Sequence, residues 1–423
     1  MQTIRGEFHS SIRITIFFMK CIGAWAADTF AEQIRGYVAV FYTLGTICTA
    51  IVTMSRDMYF SRSNVNDLLF ATCNVLSILL TTVKIVTVMI HKTEFFELIS
   101  HMKHNFWHAE YNDNEKEILG QSWKICILFV TIVTVTGHGA ILGYIATPII
   151  DNMGKNESDR VLMFNMWVKA PLWKTPYYEM MFLLQISILY QVSICYFSFD
   201  NILCIISIHL SGQFRILQYR LKTYCHVEKN MGDENGNGNV VINDVSKSYE
   251  KLKNCIRQHQ RLIDFSTKLE NVFTLAILAQ VVISSALICL LAYLSFLDNS
   301  STVKRCGFIS FTMGSSLMLL MFTYGCHGIV DESNNIARAA YSGLWPHMSM
   351  NRTGKSLRRD LMIVIARSRN VCSLTAFGFF PISLETYTKI MSSAVSYFTL
   401  LRQSTEFSEQ SELETIPDEL INL

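Results

Sequence analysis

Two polar side chains, His138 and Gln185, sit inside apolar runs long enough to cross a membrane. A polar group at that depth is expensive unless a partner or a purpose answers it. An imidazole and a carboxamide can each donate and accept, so either could orient a bound molecule or be satisfied by a neighbouring helix. At helical spacing His138 shares a face with Ile141, Leu142 and Ile145, and Gln185 shares one with Tyr178, Phe182 and Leu189. For the apolar members, ordinary helix packing is the plain reading. His101, His104 and His108 could share a face with Glu97 like a metal cluster, but they lack the i, i+4 spacing of an HExxH helix and read as surface histidines. Glu385 and Lys389 stand i, i+4 with the acid first, the favourable order for an intrahelical pair; lining a pore mouth is the alternative. Lys84, near the end of its apolar run, is expected to extend its ammonium to the interface. No P-loop, Gly-x-Ser-x-Gly or Cys-x-x-Cys pair is present, so these residues promise recognition and not bond-making, and no enzyme activity, metal or cofactor is expected.

The elements that must position these residues are membrane helices. Half of the 423 residues are apolar and 17% are charged, against about 25% in a soluble domain. A net charge of +2 gives no footprint for nucleic acid. Seven apolar runs have spanning length: 36–54, 68–90, 124–146, 180–199, 272–297, 306–330 and 380–401. The fourth, fifth and sixth continue as amphipathic helices over 200–221, 246–270 and 331–341. The expected fold is all-α, with seven transmembrane helices. Pro381 reads as the first residue of the last helix, where its missing N–H costs no hydrogen bond. That helix carries Ser383, Thr386, Thr388, Ser392, Ser393, Ser396 and Thr399, which suggests one wet or protein-packed face.

Charge sets the orientation. Twenty-four Lys and Arg fall on the side that holds Met1 and nine on the other, which predicts a cytosolic N-terminus and an extracellular C-terminus. The sequons at Asn156 and Asn299 then face outward as glycosylation candidates, while Asn351 faces inward and stays bare. All twelve cysteines lie in spans or on the cytosolic side, so no disulfide is expected. Near the start, the apolar segment 14–19 is too short before Lys20 for a signal peptide and reads as an interfacial helix anchored by Trp25.

Three stretches resemble the insect odorant receptors: Gly23-Ala24-Trp25, the segment from His209 to Leu217, and Tyr341-Ser342-Gly343-Leu344-Trp345 followed by residues 361–367 and 374–401. Phe377 departs from the pattern, standing where the family commonly has a small or polar residue, and about twenty residues extend past the usual end near Gln403. The resemblance implies an odour-specific subunit of a ligand-gated, non-selective cation channel. It implies a heterotetramer with the olfactory coreceptor, in the plasma membrane of the olfactory neuron dendrite. Residues 1–330 would be the N-terminal segment and helices one to six, 331–371 a cytosolic anchor region, 372–405 the pore-lining helix, and 406–423 a polar tail. A small volatile odorant would bind in the outer half of the bundle, among His138, Ile141, Leu142, Ile145, Tyr178, Phe182, Gln185 and Leu189, with Phe70, Asn74, Phe311, Thr312 and Ser315 from the second and sixth spans. The gate would be an apolar ring of Leu400, with Ser396 and Gln403 on the same helix face and Ser404 just beyond. The sibling gustatory receptors are the alternative. A G-protein-coupled receptor needs the opposite orientation, and the Asp/Glu-Arg-Tyr and Asn-Pro-x-x-Tyr motifs are missing.

Overall fold

The computed structural model describes residues 2–25, 29–107, 109–164, 172–224, 245–297, 302–347 and 350–414; within these, the side chains of 2–11, 297, 302–304, 401 and 404–414 are outside the description. Ten α-helices follow in chain order: α1 (Gln2–Ile22), α2 (Phe30–Phe60), α3 (Val65–Ile90), α4 (Lys92–His101), α5 (Asp113–Asp151), α6 (Tyr177–Thr223), α7 (Val245–Leu297), α8 (Thr302–Tyr341), α9 (Arg352–Ser368) and α10 (Leu384–Glu414). Among the described residues the only β-type pairing is an isolated bridge between Thr375 and Pro381. Six helices (α2, α3, α5, α6, α7 and α8) are long and apolar enough to cross a bilayer. The seventh expected span, α10, has the length but not the apolarity, because its hydroxyl and charged residues dilute it. This is a multi-pass membrane protein.

Helix starts are written in the sequence. Thr29 Oγ1 accepts from the Glu32 N–H at 3.3 Å, and Asn351 Oδ1 accepts from Gly354 N–H at 2.8 Å. Asn112 and Glu115 form a capping box at the head of α5. The last helix begins later than Pro381 suggests. Ser383 and Thr386 exchange bonds between backbone N–H and side-chain oxygen at 3.3 and 3.4 Å, so Ser383 is the cap. Pro381 belongs instead to a hairpin, where Ala376 N–H donates to Phe380 O and Ile382 N–H to Leu374 O. Phe377 and Gly378 turn that hairpin with φ of 52° and 78°. A left-handed φ is strained for an aromatic residue.

At 1.5 Å per residue, the 47, 53 and 40 residues of α6, α7 and α8 far exceed a hydrocarbon thickness of roughly 30 Å. The excess lengths form a stem, closed by α9, whose core includes Phe214, Leu217, Leu252, Phe265, Ile336 and Leu361. Arg220 clasps Glu115 with Nε–Oε1 at 2.6 Å and also reaches Gln258 at 2.8 Å, tying α6 to α5 and α7. The expectation for Lys84 is overturned: it is fully buried, with Nζ 2.8 Å from the Asp200 carboxylate and 4.1 Å from the centre of the Tyr196 ring. A buried carboxylate one helix away answers the charge better than a stretch to the interface. Helix α1 packs Ile12, Phe18, Met19 and Ile22 into the main core, with Trp25 against it.

Candidate functional site

At the end of the bundle nearest Phe164, α2, α3, α5, α6 and α8 border a cavity of about 160 Å³. Its floor and walls are Ile78 and Thr81 of α3, Val133, Gly137 and Ile141 of α5, Ile188, Val192 and Tyr196 of α6, and Phe311, Ser315 and Met318 of α8. The helices approach because the sequence supplies small residues: a Cβ at Gly137 would lie 2.5 Å from the Phe197 ring. Among the described residues, no charged side chain lines the cavity. Such a surface suits neutral, mainly apolar molecules held by shape.

A larger open cleft of about 1370 Å³ lies between α3, α5, α8 and α10 and shares Tyr144, Phe164 and Phe311 with the cavity. Tyr144 is the partition. Its ring lies 6.3 Å from Phe70, 6.2 Å from Phe164 and 6.3 Å from Phe311. Phe164 is held in place by Gln185, whose Nε2 donates to Phe164 O at 2.7 Å while its Oε1 accepts from Phe164 N–H at 3.4 Å. Gln185 is therefore a buried clip for the loop residue that covers the cavity.

Of the residues singled out from sequence, Asn74, Ile141, Leu189, Phe311 and Ser315 meet at the cavity, and Phe70 and Thr312 line the cleft beside it. The others lie elsewhere. His138 lines neither; its Nδ1 is 2.7 Å from Thr134 O, and its ring stacks on Phe18 of α1 at 5.8 Å and meets Tyr190 edge-on at 6.1 Å. It is a histidine satisfied by its own helix. Leu142 is 65% exposed on the bundle exterior, and Ile145 lines neither space. Tyr178 accepts a 2.8 Å bond from Asn152 and stacks on Phe182 at 5.9 Å, so both shape the loop end above the cavity. Tyr144, Phe164, Ile188, Val192, Tyr196 and Phe197 were missed. The signal for α5 was the stripe Val133, Gly137, Ile141 and Tyr144, whose glycine marks the close-packed face.

The cavity and α10 are mechanically adjacent. Helix α8 presents Phe311 and Ser315 to the cavity, and the next residue, Ser316, lies 3.0 Å from the Tyr387 hydroxyl and 3.6 Å from Met391 Sδ on α10. Along α10, Tyr387, Met391 and Ala394 face the bundle, and Phe398 meets Phe296 at 5.4 Å. The opposite face carries Glu385, Lys389, Ser392, Ser396, Leu400 and Gln403, all exposed, Leu400 at 64%. Glu385 and Lys389 form the expected pair at 2.7 Å, with both side chains 73% exposed. The Ser404 side chain is outside the described residues, as is Asn299; Asn156 is exposed in the loop after α5. His101 packs against Phe106 and Phe265, and Glu97 meets Lys268 at 3.1 Å; His108 is outside the description.

The profile of the 7tm odorant receptor family matches residues 64–395. The chain belongs to this family. Odorant receptor 13a of Drosophila melanogaster is 27% identical over 225 residues, 52% of this chain and 51% of that protein. Odorant receptor Or2 of Anopheles gambiae is 23% identical over 234 residues, 54% of this chain and 57% of its own length. The odorant receptor coreceptor of Harpegnathos saltator is 25% identical over 40% of this chain and 35% of its own length. The chain thus matches about half the length of these first relatives. Insect olfactory receptor OR5 of Machilis hrabei, solved in complex with eugenol, superposes with a TM-score of 0.79 at 14% identity, covering 95% of this chain and 99% of that one. The odorant receptor fold therefore extends over nearly the entire chain.

Proposed function

We propose that the chain is an odour-specific receptor subunit that binds a small volatile molecule in the cavity and opens a cation pore lined by α10. The observation that carries this reading is the shared wall: α8 borders the cavity on one face and holds α10 through Ser316 and Tyr387 on the other. A molecule that spreads the cavity must displace α8, and α10 with it. The unpartnered polar face of α10 suits a position around a central pore, with copies of the helix from four subunits and the coreceptor among them. There Leu400 would form an apolar constriction that blocks ions by dewetting, and splaying of the helices would bring Gln403 to the axis. The charge asymmetry supports a cytosolic N-terminus, an extracellular C-terminus and a glycan at Asn156. Burial of roughly 200 Å² of apolar ligand surface at about 25 cal/mol/Å² gives about 5 kcal/mol, an affinity near 10⁻⁴ M, so tuning is broad unless a directional bond sharpens it. Current recorded from cells that express the chain with and without an insect coreceptor, against an odour panel, tests the reading. Odour-evoked cation current that needs the coreceptor supports it; a response that survives without any pore subunit and requires G-protein signalling overturns it.

A further inference from the structure

The cavity wall is not uniformly apolar, and two polar groups in it, the Asn74 amide and the Tyr196 hydroxyl, have no hydrogen-bond partner. Asn74 of α3 lines the cavity, is 9% exposed, and its Nδ2 has no hydrogen-bond partner. Nearby hydroxyls donate to their own helices, Ser77 to Cys73 O and Thr81 to Ser77 O at 2.9 Å and Thr136 to Ile132 O at 2.8 Å, and none of their oxygens accepts from Asn74 Nδ2. Buried side-chain amides rarely go unpaired, and each case asks for an explanation. Other unpartnered buried groups, such as Asn201 and His209, lie in the packed core and border neither described space. Asn74 and Tyr196 differ because they line the cavity, and of the two Asn74 carries the amide donor.

We propose that the molecule this cavity takes carries a neutral hydrogen-bond acceptor, a carbonyl, ester or ether oxygen, seated on Asn74 Nδ2, with its hydrocarbon body against Ile78, Ile141, Ile188 and Phe311. This rests on the reading of the cavity as the odorant site and names the chemical class for it. A carboxylate or an ammonium is a poor occupant, because among the described residues no charged side chain lines the space to answer it. The size fits a compact molecule: an apolar cavity of about 150 Å³ takes benzene, and this one measures about 160 Å³. A pure hydrocarbon of the same shape leaves the amide donor buried and unpaired, whereas an acceptor satisfies it. Removal of a single neutral hydrogen bond changes affinity by up to about tenfold.

The test uses the full chain co-expressed with a coreceptor and two shape-matched pairs in which C=O is replaced by C=CH2: acetophenone with α-methylstyrene, and cyclohexanone with methylenecyclohexane. The ketones should activate at concentrations about tenfold below their hydrocarbon partners. In Asn74→Leu, which keeps the bulk and removes the donor, that ratio should collapse towards one through loss of ketone potency, with the hydrocarbon response retained. Ile188→Trp, which fills the cavity, should abolish both responses. A hydrocarbon as potent as its ketone in the parent overturns the proposal, as does a ratio unchanged in Asn74→Leu at normal surface level, or silence towards both ketones. Responses untouched by Ile188→Trp sink the cavity reading itself, a result distinct from failure of the acceptor rule.

Discussion

The two halves of α6 behave as different materials. From Ser198 to Leu210 every residue is buried, including Asp200, Asn201, Ser207 and His209. From Tyr177 to Phe197 the helix buries only Gln185, Ile188, Gln191, Ile194 and Cys195, and it borders the cavity at Ile188, Val192 and Tyr196. One half is close-packed and carries the stem; the other is built around empty space and can change shape when that space is filled. Packed interiors transmit strain, so under the proposed function a change in the cavity would pass through α8 to α10, which Ser316 and Tyr387 join. The Lys84–Asp200 pair sits at the junction, beneath Tyr196 in the cavity wall.

The contrast can be broken most severely at that junction. Asp200→Leu or Lys84→Met alone strands a buried charge and should destabilise the protein by about 3–5 kcal/mol, read as a lowered Tm of the purified protein and loss of surface receptor. The double variant should recover most of the loss. Equal damage in the single and double variants would show that the pair is not the interaction that matters. Next in size is Gly137→Ala, which forces the Phe197 ring to move. Overpacking of this kind costs about 1–3 kcal/mol; thermal stability should fall, and agonist potency should drop with changed rank order because Phe197 is cavity wall. An equivalent small-to-large change in the stem, Gly212→Ala, meets Ser122 at 2.8 Å and should lower stability without altering agonist rank. The smallest effect is expected for Gln185→Leu. Loss of two bonds to Phe164 should loosen the cover of the cavity and shift odour-response kinetics a few-fold, with surface level preserved; unchanged kinetics would leave Phe164 held by packing alone.

Much of this architecture was legible. The amphipathic continuations of the fourth to sixth spans emerge as the long α6, α7 and α8, since hydrophobic period survives into the stem. The polar face of α10 was visible in its serines and threonines. Less legible was the phase of the cavity-facing stripes. On α5 the apolar residues surround the helix, and the face that borders the cavity holds Val133, Gly137, Ile141 and Tyr144, part of a turn from His138, Leu142 and Ile145. Gln185 bonds a loop backbone 21 residues earlier, a contact no local spacing encodes. Lys84 and Asp200, 116 positions apart, illustrate the same limit.

The central claim is that the cavity receives the stimulus and α10 executes the response, and one recording separates the two. In the double variant Ile188→Trp, Leu400→Ser, expressed with the coreceptor, resting and odour-evoked currents are measured in the same cell. A polar residue in place of Leu400 should keep the pore partly wet, so resting current should rise above the parent's while the filled cavity leaves no odour response. A resting current equal to the parent's, or an odour response that survives the tryptophan at normal surface level, would contradict the account.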